Sequence, residues 1–354
     1  MHPTRRTVLT GSAAAALTAL ATRAAGADPL PGSGATKIKD LSGPAQTGQF
    51  ATPWSDLGIP ARCPDGSMLF VGGDSFDGAG APGTNWRSPV GLRSSSSNLA
   101  SLTIDSAVGG SSAVGLVPEG HVPVGDGRTT AIPSDIFTIG NTMYLHLMRG
   151  VIYRTDHSDF WKSDDNGNTW TFLCQWPGDL LGGQFQQKTY AVADDGYCYV
   201  LSSVFNRKAV SGLLLHRVPH AEVGVPASYQ PWGFANGAWA WGNPASTITT
   251  ARGWGEICFR QLDGHFVFTF FNDADATIRA QVLSSALGNF FATREQTLIT
   301  NGPVAAQGGT VVTSPYGGFV VPGSTIADFH IVVSQWYDST NYRFMQYRIN
   351  GLGV

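Results

Sequence analysis

The sequence predicts an all-β fold, and more specifically a five-bladed β-propeller. Its 354 residues include 44 glycines and 20 prolines, and 11% of the residues are aromatic. This composition is typical of many short strands joined by tight turns. Long stretches with apolar residues at helical spacing are missing from the sequence, which argues against a helical fold. What recurs five times is an apolar strand, a turn, a second apolar strand and a polar loop, in units of about 50 to 75 residues.

Each of the five predicted units is marked by a turn that an apolar strand follows. The turns are Pro64–Gly66, Gly140-Asn141, Asp194–Gly196, Asp263-Gly264 and Pro315–Gly318. The strands after them are Met68–Val71, Met143–Met148, Cys198–Val204, Phe266–Phe271 and Phe319–Val321. A later strand in each unit is Val90–Arg93, Phe160–Ser163, Leu213–Arg217, Ile278–Leu283 and Phe344–Ile349. Because one such unit is too small to bury a core alone, we expect radial stacking as blades rather than a sandwich or jelly roll.

The N-terminus has the features of an export signal. Arg5-Arg6 forms a twin-arginine start, an apolar run follows over 13–21, and Ala25-Gly26-Ala27 offers a small-residue cleavage site. The apolar run is shorter than the ~20 residues that a membrane-spanning helix needs. We therefore expect a twin-arginine signal peptide over 1–27, export of the folded protein and no membrane anchor. A flexible lead-in over 28–48 and a single propeller domain over 49–354 complete the predicted organisation.

Composition and spacing argue against several other classes of function. Only 13% of the residues are charged and the net charge is -3, so there is no signature of nucleic-acid binding. Four cysteines, at positions 63, 174, 198 and 258, lack zinc-site spacing. We expect a Cys174–Cys198 disulfide first, with buried free thiols as the alternative. His216 and His220 are four residues apart, but Pro219 lies between them, so we predict no metal site there. We also expect no obligatory cofactor.

One local motif supports the propeller. Residues 163–170, Ser-Asp-Asp-Asn-Gly-Asn-Thr-Trp, fit the S-x-D-x-G-x-T-W hairpin known as an Asp box and resemble the Asp boxes of sialidase-like propellers. Polar side chains of such a hairpin bond the turn backbone, and its tryptophan packs between strands. We therefore expect a structural role on the blade periphery and do not assign Asp165 to catalysis.

The chemistry suggested by the sequence is that of carboxylates beside aromatic side chains. Asp56 and Asp74 belong to the first unit, Asp135 precedes the inner strands of the second, and Glu256 opens the fourth. Tryptophans in similar loops are Trp54, Trp86, Trp232, Trp239, Trp241 and Trp254. Sugar hydrolysis needs two acids flanking the scissile bond, with ring faces that stack on the sugar. The alternatives are core packing for the tryptophans, a backbone-satisfying turn aspartate at Asp74, and for Glu256 an ion pair with Arg252 or Arg260.

Three segments of the first unit carry a resemblance to a known family. They are Asp56-Leu57-Gly58, Gly73-Asp74-Ser75-Phe76 and Trp86-Arg87-Ser88-Pro89-Val90. Later similar segments are 163–170, 232–244 and 255–260 followed by 266–272. The sequence from Phe50 to Ile349 thus resembles a bacterial and phage family long catalogued as a domain of unknown function and now grouped as glycoside hydrolase family 183, the endo-D-arabinanases.

The resemblance implies a secreted five-bladed propeller that cuts α-D-arabinofuranosyl chains within mycobacterial arabinogalactan and lipoarabinomannan. It places the catalytic pair at Asp56 and Asp74, with Asp77 as an alternative to Asp74, and Glu256 is a third candidate acid. Trp54, Trp86, Arg87, Asp135 and Trp254 are expected near the substrate.

No cofactor and no partner other than the polysaccharide is expected, and the protein is expected to be a monomer. Two other functions stay open at this point. One is a glycan-binding propeller without catalysis, and the other is a sialidase-like enzyme, which would need an arginine cluster.

Overall fold

A computed structural model describes residues 34–118 and 130–354, so the predicted export signal over 1–27 lies outside the described residues. The protein is all-β over these residues, with five small sheets in a ring. The prediction of a five-bladed β-propeller is therefore confirmed. No helix in the described ranges is long and apolar enough to cross a membrane.

The described residues contain 24 strands, numbered β1 to β24 in chain order. Strand β1 is Ala35–Asp40, and blade one contains β2 Trp54–Arg62, β3 Met68–Asp77, β4 Thr84–Arg87, β5 Val90–Ser94 and β6 Ser106–Ala107. Blade two contains β7 Thr130–Ile139, β8 Thr142–Val151, β9 Arg154–Ser163 and β10 Thr171–Pro177. Blade three contains β11 Gln187–Val192, β12 Tyr197–Ser203, β14 Leu214–Pro219, β15 Gln230–Ala235 and β16 Ala238–Trp241.

The remaining strands build blades four and five. Blade four contains β13 Val210–Ser211, β17 Arg252–Leu262, β18 His265–Asn272, β19 Thr277–Leu283, β20 Gln296–Asn301 and β21 Val311–Val312. Blade five contains β22 Pro315–Val320, β23 Phe329–Trp336 and β24 Tyr342–Ile349. Short helices in the described ranges are one α-helix, Pro44–Thr47, and the 3₁₀ helices Gly48–Phe50, Leu180–Gly183, His220–Glu222, Pro226–Ser228 and Val304–Ala306.

The first long strand of each blade lies at the centre of the ring; in blade four this is β17, which the two-residue β13 precedes. Strands β2, β7, β11, β17 and β22 contact one another in that order, and β22 contacts β2 again. Each later strand of a blade lies farther from the axis, in the order that the sheets show. The ring therefore brings side chains from distant parts of the sequence together around one axis.

The ring is closed by the N-terminal strand. Strand β1 pairs antiparallel with β24, from Ala35 opposite Ile349 to Asp40 opposite Met345, and so becomes the outermost strand of blade five. The predicted flexible lead-in over 28–48 is therefore wrong for its described part. Its polar composition suggested flexibility, but the exposed edge of β24 gives this segment backbone hydrogen-bond partners that the sequence does not reveal.

Most predicted strands lie where they were expected, and the exception is in the fifth blade. Pro315–Gly318, predicted as a turn, begins the inner strand β22. The second strand of that blade is β23, which was not predicted, and the connection between the two spans 321–328. Glycines at 317 and 318 have positive φ values of 80° and 108°, and the pairing with β23 shifts register between Gly317 and Phe319. These glycines thus mark a bulge within a strand, not a hairpin.

Apolar side chains fill the spaces between neighbouring blades. The two cysteines predicted to pair lie on different blades, with Cys174 on β10 and Cys198 on β12. Both belong to one apolar cluster around Phe160 and Tyr190, and all four cysteines are free. The predicted disulfide is therefore wrong, and these thiols act as packing groups. Burial raises the pKa of Cys198 to about 12 and that of Cys174 to about 11.

The Asp box is structural, as predicted. Asp165 accepts hydrogen bonds from the Ser163 hydroxyl at 2.7 Å, from the Thr169 backbone N–H at 2.9 Å and from the Thr169 hydroxyl at 2.7 Å. The Trp170 indole N–H closes the hairpin on the Gly167 carbonyl at 3.1 Å. This hairpin joins the two outer strands of blade two, so it lies on the periphery of the propeller.

Candidate active site

A cavity of about 370 Å³ lies on the propeller axis, where four of the inner strands begin. Early residues of β2, β7, β17 and β22 contribute to its wall, and ends of β3, β18, β20, β23 and β24 together with loops supply the rest. Its lining residues are Asp56, Leu57, Asp74, Ile132, Ile152, Tyr153, Phe205, Arg207, Glu256, Phe271, Ala276, Asn301, Ser314, Pro315, Tyr316, Trp336 and Tyr342. The structure thus brings together all three carboxylates that the sequence proposes as catalytic groups.

Asp56 and Asp74 reach the cavity from two adjacent antiparallel strands. In the pairing of β2 with β3, Ser55 lies opposite Ser75 and Leu57 opposite Gly72, with an irregularity between these pairs. Asp56 therefore faces Gly73, the residue before Asp74. A Cβ atom at Gly73 would lie 2.5 Å from Asp56 Oδ1. The absence of a side chain at this position leaves room for the Asp56 carboxylate beside Asp74.

Asp56 is held by two tyrosines and is poorly hydrated. The Tyr316 hydroxyl donates to Asp56 Oδ2 at 3.0 Å, and the Tyr342 side chain also hydrogen-bonds this carboxylate. Asp56 is half-buried as a residue because it borders the cavity, but its Oδ1 is buried and has no hydrogen-bond partner in the described part of the chain. Burial raises the pKa of Asp56 to about 8, and the Asp74 and Glu256 charges add to the effect while the two tyrosines oppose it.

Asp74 is the second perturbed carboxylate. Its Oδ1 is likewise buried, with no hydrogen-bond partner among residues 34–118 and 130–354. Burial raises the pKa of Asp74 to about 6, and a hydrogen bond from Trp86 works in the opposite direction. The Trp86 ring packs against Phe76 with centroids 5.3 Å apart and is 37% exposed. Trp86, expected near the substrate, thus contacts Asp74 and does not itself line the cavity.

Glu256, on β17, is the third carboxylate of the cavity, and it is engaged differently from the two aspartates. It forms an ion pair with Arg207, and its Oε2 accepts the Gly317 backbone N–H at 3.2 Å. The alternative interpretation gave Glu256 an ion pair with Arg252 or Arg260, and the ion pair exists but with another arginine. Arg252 pairs with Glu295 and Arg260 pairs with Asp135. The basic partner that neutralises Glu256 comes from blade three, about 50 residues earlier in the chain.

Asp135 does not reach the cavity. It lies within β7 at a register shift and is 1% exposed. Its carboxylate accepts hydrogen bonds from Thr189 at 2.8 Å and from the Tyr190 backbone N–H at 2.7 Å, and it pairs with Arg260. The predicted substrate contact is therefore wrong, because Asp135 ties blades two, three and four together in the interior.

Three further predicted substrate contacts also lie away from the cavity. The indole N–H of Trp54 donates to the Gly78 carbonyl at 3.1 Å, and that of Trp254 donates to the Ser211 carbonyl at 2.8 Å. Both rings are buried in the packing of their blades. Arg87 donates to the backbone carbonyls of residues 51, 85 and 113. The core-packing alternative is the correct one for these two tryptophans, and Arg87 fixes loops.

Asp77, the alternative to Asp74, lies on the outside of the hairpin. It accepts hydrogen bonds from the Thr84 hydroxyl at 2.5 Å and from Asn85 at 3.2 Å. These bonds, the one from Thr84 foremost, lower the pKa of Asp77. Because it does not border the cavity and is stabilised as an anion, it lacks the environment of Asp56 and Asp74.

Several residues of the site were missed by sequence analysis. Arg207 follows β12 in a polar loop, Tyr316 lies in the segment taken for a turn, and Tyr342 opens the last strand. Aromatic residues at the cavity mouth, Tyr153, Phe205 and Trp336, are equally unmarked in the sequence. One of these residues could have been found. If Pro315–Val320 is taken as an inner strand instead of a turn, Tyr316 lies near its start, at the same end of the ring as Glu256.

The site has no arrangement suited to metal binding by protein side chains alone. Within residues 34–118 and 130–354, no group of three or more His, Cys, Asp or Glu side chains is placed to hold a metal ion. Arg207 is the one arginine among the described residues that line the cavity. What the arrangement can supply is proton transfer by two carboxylates with raised pKa values and a neutralised third carboxylate.

Comparison with known proteins identifies the family. The model of the family described as "Domain of unknown function (DUF4185)" matches residues 42–348, which is nearly the whole propeller. The chain belongs to this family. A relative from Mycolicibacterium smegmatis, named an uncharacterized 35.9 kDa protein in the asd 3' region, is 27% identical over 338 residues, covering 85% of this chain and 96% of the relative.

Solved structures share the propeller fold at low sequence identity. A Bacteroides ovatus protein has a TM-score of 0.61 at 11% identity, with 86% of this chain and 87% of that one covered. An α-L-arabinofuranosidase from Podospora anserina, in complex with cellotriose, has a TM-score of 0.52 at 13% identity, covering 91% and 98%. A GH43_1 enzyme from Xanthomonas citri has a TM-score of 0.51 at 11% identity, covering 88% and 90%. At these identities the similarity establishes the fold alone.

Proposed function

We propose that this protein is a glycoside hydrolase, an endo-D-arabinanase that cleaves α-D-arabinofuranosyl linkages of arabinogalactan and lipoarabinomannan. The observation that carries the proposal is the pair Asp56 and Asp74: two adjacent carboxylates in one open cavity, both with raised pKa values. Propellers of similar fold include an α-L-arabinofuranosidase and a GH43_1 enzyme. The substrate class is supported by the resemblance of the sequence from Phe50 to Ile349 to glycoside hydrolase family 183.

The two environments suggest separate roles for the aspartates. With a pKa near 8, Asp56 keeps its proton at neutral pH and can donate it to the departing glycosidic oxygen. With a pKa near 6, Asp74 is mostly ionised at neutral pH. It can attack the anomeric carbon itself or remove a proton from an attacking water. In sum, one water is consumed, its hydroxyl joins the anomeric carbon, and its proton restores the acid.

The remaining groups of the cavity support this chemistry. Tyr316 and Tyr342 hold Asp56 in place through their hydrogen bonds. Glu256 adds negative charge, which favours a positively charged sugar in the transition state and helps to keep Asp56 protonated. Its pairing with Arg207 limits this charge, so we assign Glu256 a supporting role rather than that of the acid.

The two competing functions predict different sites. A sialidase-like enzyme needs several arginines around a substrate carboxylate, but of the described residues that line this cavity only one is an arginine, and it is paired with Glu256. A glycan-binding propeller without catalysis has no need of two carboxylates that are poorly hydrated and adjacent, since such an arrangement costs folding free energy. Both observations favour the hydrolase.

Product analysis with matched variants tests the proposal. The protein is incubated with purified mycobacterial arabinogalactan, and released oligosaccharides are separated by chromatography. Asp56→Asn and Asp74→Asn should each lower the rate by about 10²-fold or more, the usual contribution of a general acid or base. Asp77→Asn is the control, because it removes a nearby carboxylate outside the cavity. If the wild type binds the polymer but releases nothing, the hydrolase assignment fails.

We further propose that the protein acts outside the cytoplasm as a monomer. The twin-arginine sequence over 1–27 supports export, and the substrate named above is a cell-wall polymer. Replacing Arg5 and Arg6 by lysine should retain the protein in the cytoplasm, as read by immunoblot of cell fractions and medium. Unchanged distribution in this variant would show that residues 1–27 are not the export signal.

A further inference from the structure

A second aromatic surface lies away from the catalytic cavity, on the outer hairpin of blade three. Strands β15 and β16 pair Trp232 with Trp241 and Phe234 with Trp239. Because side chains alternate between the two faces of a hairpin, these four aromatic residues share one face. Small residues, at positions 233, 235, 238 and 240, occupy the other face. We call this surface the blade-three aromatic face.

The aromatic face borders a groove of about 320 Å³ that shares no residue with the catalytic cavity. Trp232 and Trp239 form one wall, and a loop between β19 and β20 of blade four forms the other. The residues of the second wall are Leu287, Gly288, Asn289, Phe290 and Phe291, with Ile248 at the base. The groove therefore lies at the outer junction of two blades.

The groove exposes more aromatic surface than packing requires. Of the lining residues, Trp239 is 40% exposed and Phe291 is 54% exposed. Phe234, beside Trp239 on the same face of the hairpin, is 52% exposed. The Trp232 and Trp239 rings are nearly parallel, with an interplanar angle of 20° and centroids 6.0 Å apart. The two rings stack on each other, so the exposed aromatic surface is a cluster rather than a set of isolated residues.

The hairpin that presents these rings is held firmly. Asn243 donates to the carbonyls of Gly233 at 3.1 Å and of Ala238 at 3.2 Å. A Cβ atom at Gly233 would lie 1.8 Å from the Pro244 carbonyl oxygen, so the segment after the hairpin packs directly on its small-residue face. The aromatic face is thus fixed before any ligand binds, which lowers the entropic cost of binding.

The chemistry of the groove selects one class of ligand. None of its lining residues carries an ionisable side chain, so it offers nothing for phosphate, nucleic acid or an acidic sugar. The indole N–H groups of Trp232 and Trp239 have no hydrogen-bond partner within the described residues, although both indoles border the groove. Flat aromatic surface with free donors suits a neutral sugar, which presents C–H faces to rings and hydroxyls to donors.

We propose that this groove is a secondary binding site for a neutral polysaccharide chain and holds the polymer while the axial cavity acts on it. The inference rests on the proposed function for its identification of the polymer, and on the groove itself for the ligand class. A polymer long enough to contact both places would gain affinity through the second contact without any change at the cavity.

Affinity electrophoresis tests the groove directly. All proteins carry Asp56→Asn so that the polymer in the gel stays intact, and the gel contains purified mycobacterial arabinogalactan, plant arabinan or arabinoxylan. Adding Trp239→Ala and Phe291→Ala should weaken retardation about tenfold in at least one of these gels. The control is Phe172→Ala, which removes an aromatic side chain of similar exposure, 45%, from the outer strand of blade two. Equal retardation of groove and control variants in all gels overturns the proposal.

Kinetics with otherwise unchanged enzyme distinguish the groove from the cavity. Trp239→Ala should raise KM for the polymer while leaving kcat/KM for a short arabino-oligosaccharide unchanged, because a short substrate occupies the cavity alone. A loss on both substrates would place the defect at the cavity and overturn the proposal. If no polymer is cleaved at all, the proposed function fails, while the electrophoresis result still decides the groove.

Self-association is the main competing use of such a surface. Sedimentation of the wild type and of Trp239→Ala measures it at the concentrations of the binding assay. A dimer that depends on Trp239, without groove-dependent retardation in any gel, would replace the polysaccharide by a second copy of the chain. A monomer in both proteins, with groove-dependent retardation, supports the proposal.

Discussion

Asp56 and Asp74 illustrate how much a site depends on a few atoms of environment. Burial raises the pKa of both side chains, and their surroundings differ. Asp56 also has the Glu256 charge beside it and hydrogen bonds from two tyrosines, whereas Asp74 has a hydrogen bond from Trp86. Asp56 must be protonated to act as an acid and Asp74 must be ionised to act as a base or nucleophile. Activity therefore requires a pH above about 6 and below about 8, with both values belonging to the coupled pair.

The first prediction concerns the alkaline limit of this profile. The hydrogen bond from Tyr316 favours ionised Asp56, so it lowers the pKa that burial has raised. Tyr316→Phe should move the alkaline limb of kcat/KM to higher pH and leave the acid limb in place. Tyr199→Phe, which removes a hydroxyl bonded to Asp195 in blade three, is the control. A profile unchanged by Tyr316→Phe would show that Asp56 is not the group behind the alkaline limb.

The second prediction follows from linkage between protonation and folding. In the unfolded chain an aspartate ionises near pH 4, whereas folded Asp56 ionises near pH 8. Between these values the folded state binds more protons, so stability falls as pH rises through this window. Asp56→Asn removes the penalty and should raise the melting temperature by several degrees at pH 8 and by about zero at pH 4.

Melting curves at the two pH values check this second prediction. Asp77→Asn serves as the matched variant, because the pKa of Asp77 is lowered by folding and its ionised form stabilises the protein. It should produce no gain at pH 8. A gain of equal size in both variants would mean that net charge, rather than burial of Asp56, is responsible.

At the scale of the strand pair, one glycine sets the distance between the two acids. The Cβ of an alanine at position 73 would lie 2.5 Å from Asp56 Oδ1 and 2.8 Å from Leu57 Cδ1. Gly73→Ala should therefore displace Asp56 and lower kcat/KM by about 10²-fold, since a shift of ~1 Å in a catalytic group has effects of this size. Gly48→Ala, where no atom lies within 4 Å, is the control. Full activity in Gly73→Ala would contradict the placement of Asp56 in catalysis.

The elements also show what sequence patterns can and cannot predict. Second strands such as β3, β8, β12 and β18 each contain an apolar run that follows an obvious turn, so their sequences mark them well. Inner strands are harder, because their ends line the cavity and carry polar residues. In β17, Glu256 interrupts the apolar pattern and is solvated by Arg207 and the Gly317 N–H, partners that no local pattern contains.

At the scale of the whole molecule, the sequence predicts the ring but not which side chains meet across it. The repeat count predicted five blades, and the carboxylates of the first and fourth blades were expected to meet at the centre. Which side chain meets which depends on contacts between residues far apart in the chain, such as Asp56 with Tyr316 or Asp135 with Arg260. Asp135 was expected near the substrate because a carboxylate on an inner strand can face either the cavity or a buried arginine. In this fold its partner is the buried Arg260.

Closure of the ring gives the last prediction. Strand β1 pairs with β24 through five residue pairs and contributes Asp40, which forms an ion pair with Arg343. A chain beginning at Leu41 keeps every residue of the cavity but leaves the edge of β24 open. Lost backbone hydrogen bonds, each worth ~0.5–1.5 kcal/mol, should destabilise it by about 2–5 kcal/mol. The open edge should also promote association.

Thermal melting and size-exclusion chromatography measure both effects, with a chain beginning at Gly34 as the control. If the two chains melt together and elute alike, β1 is dispensable and the contacts of β2 with blade five are enough to hold the ring.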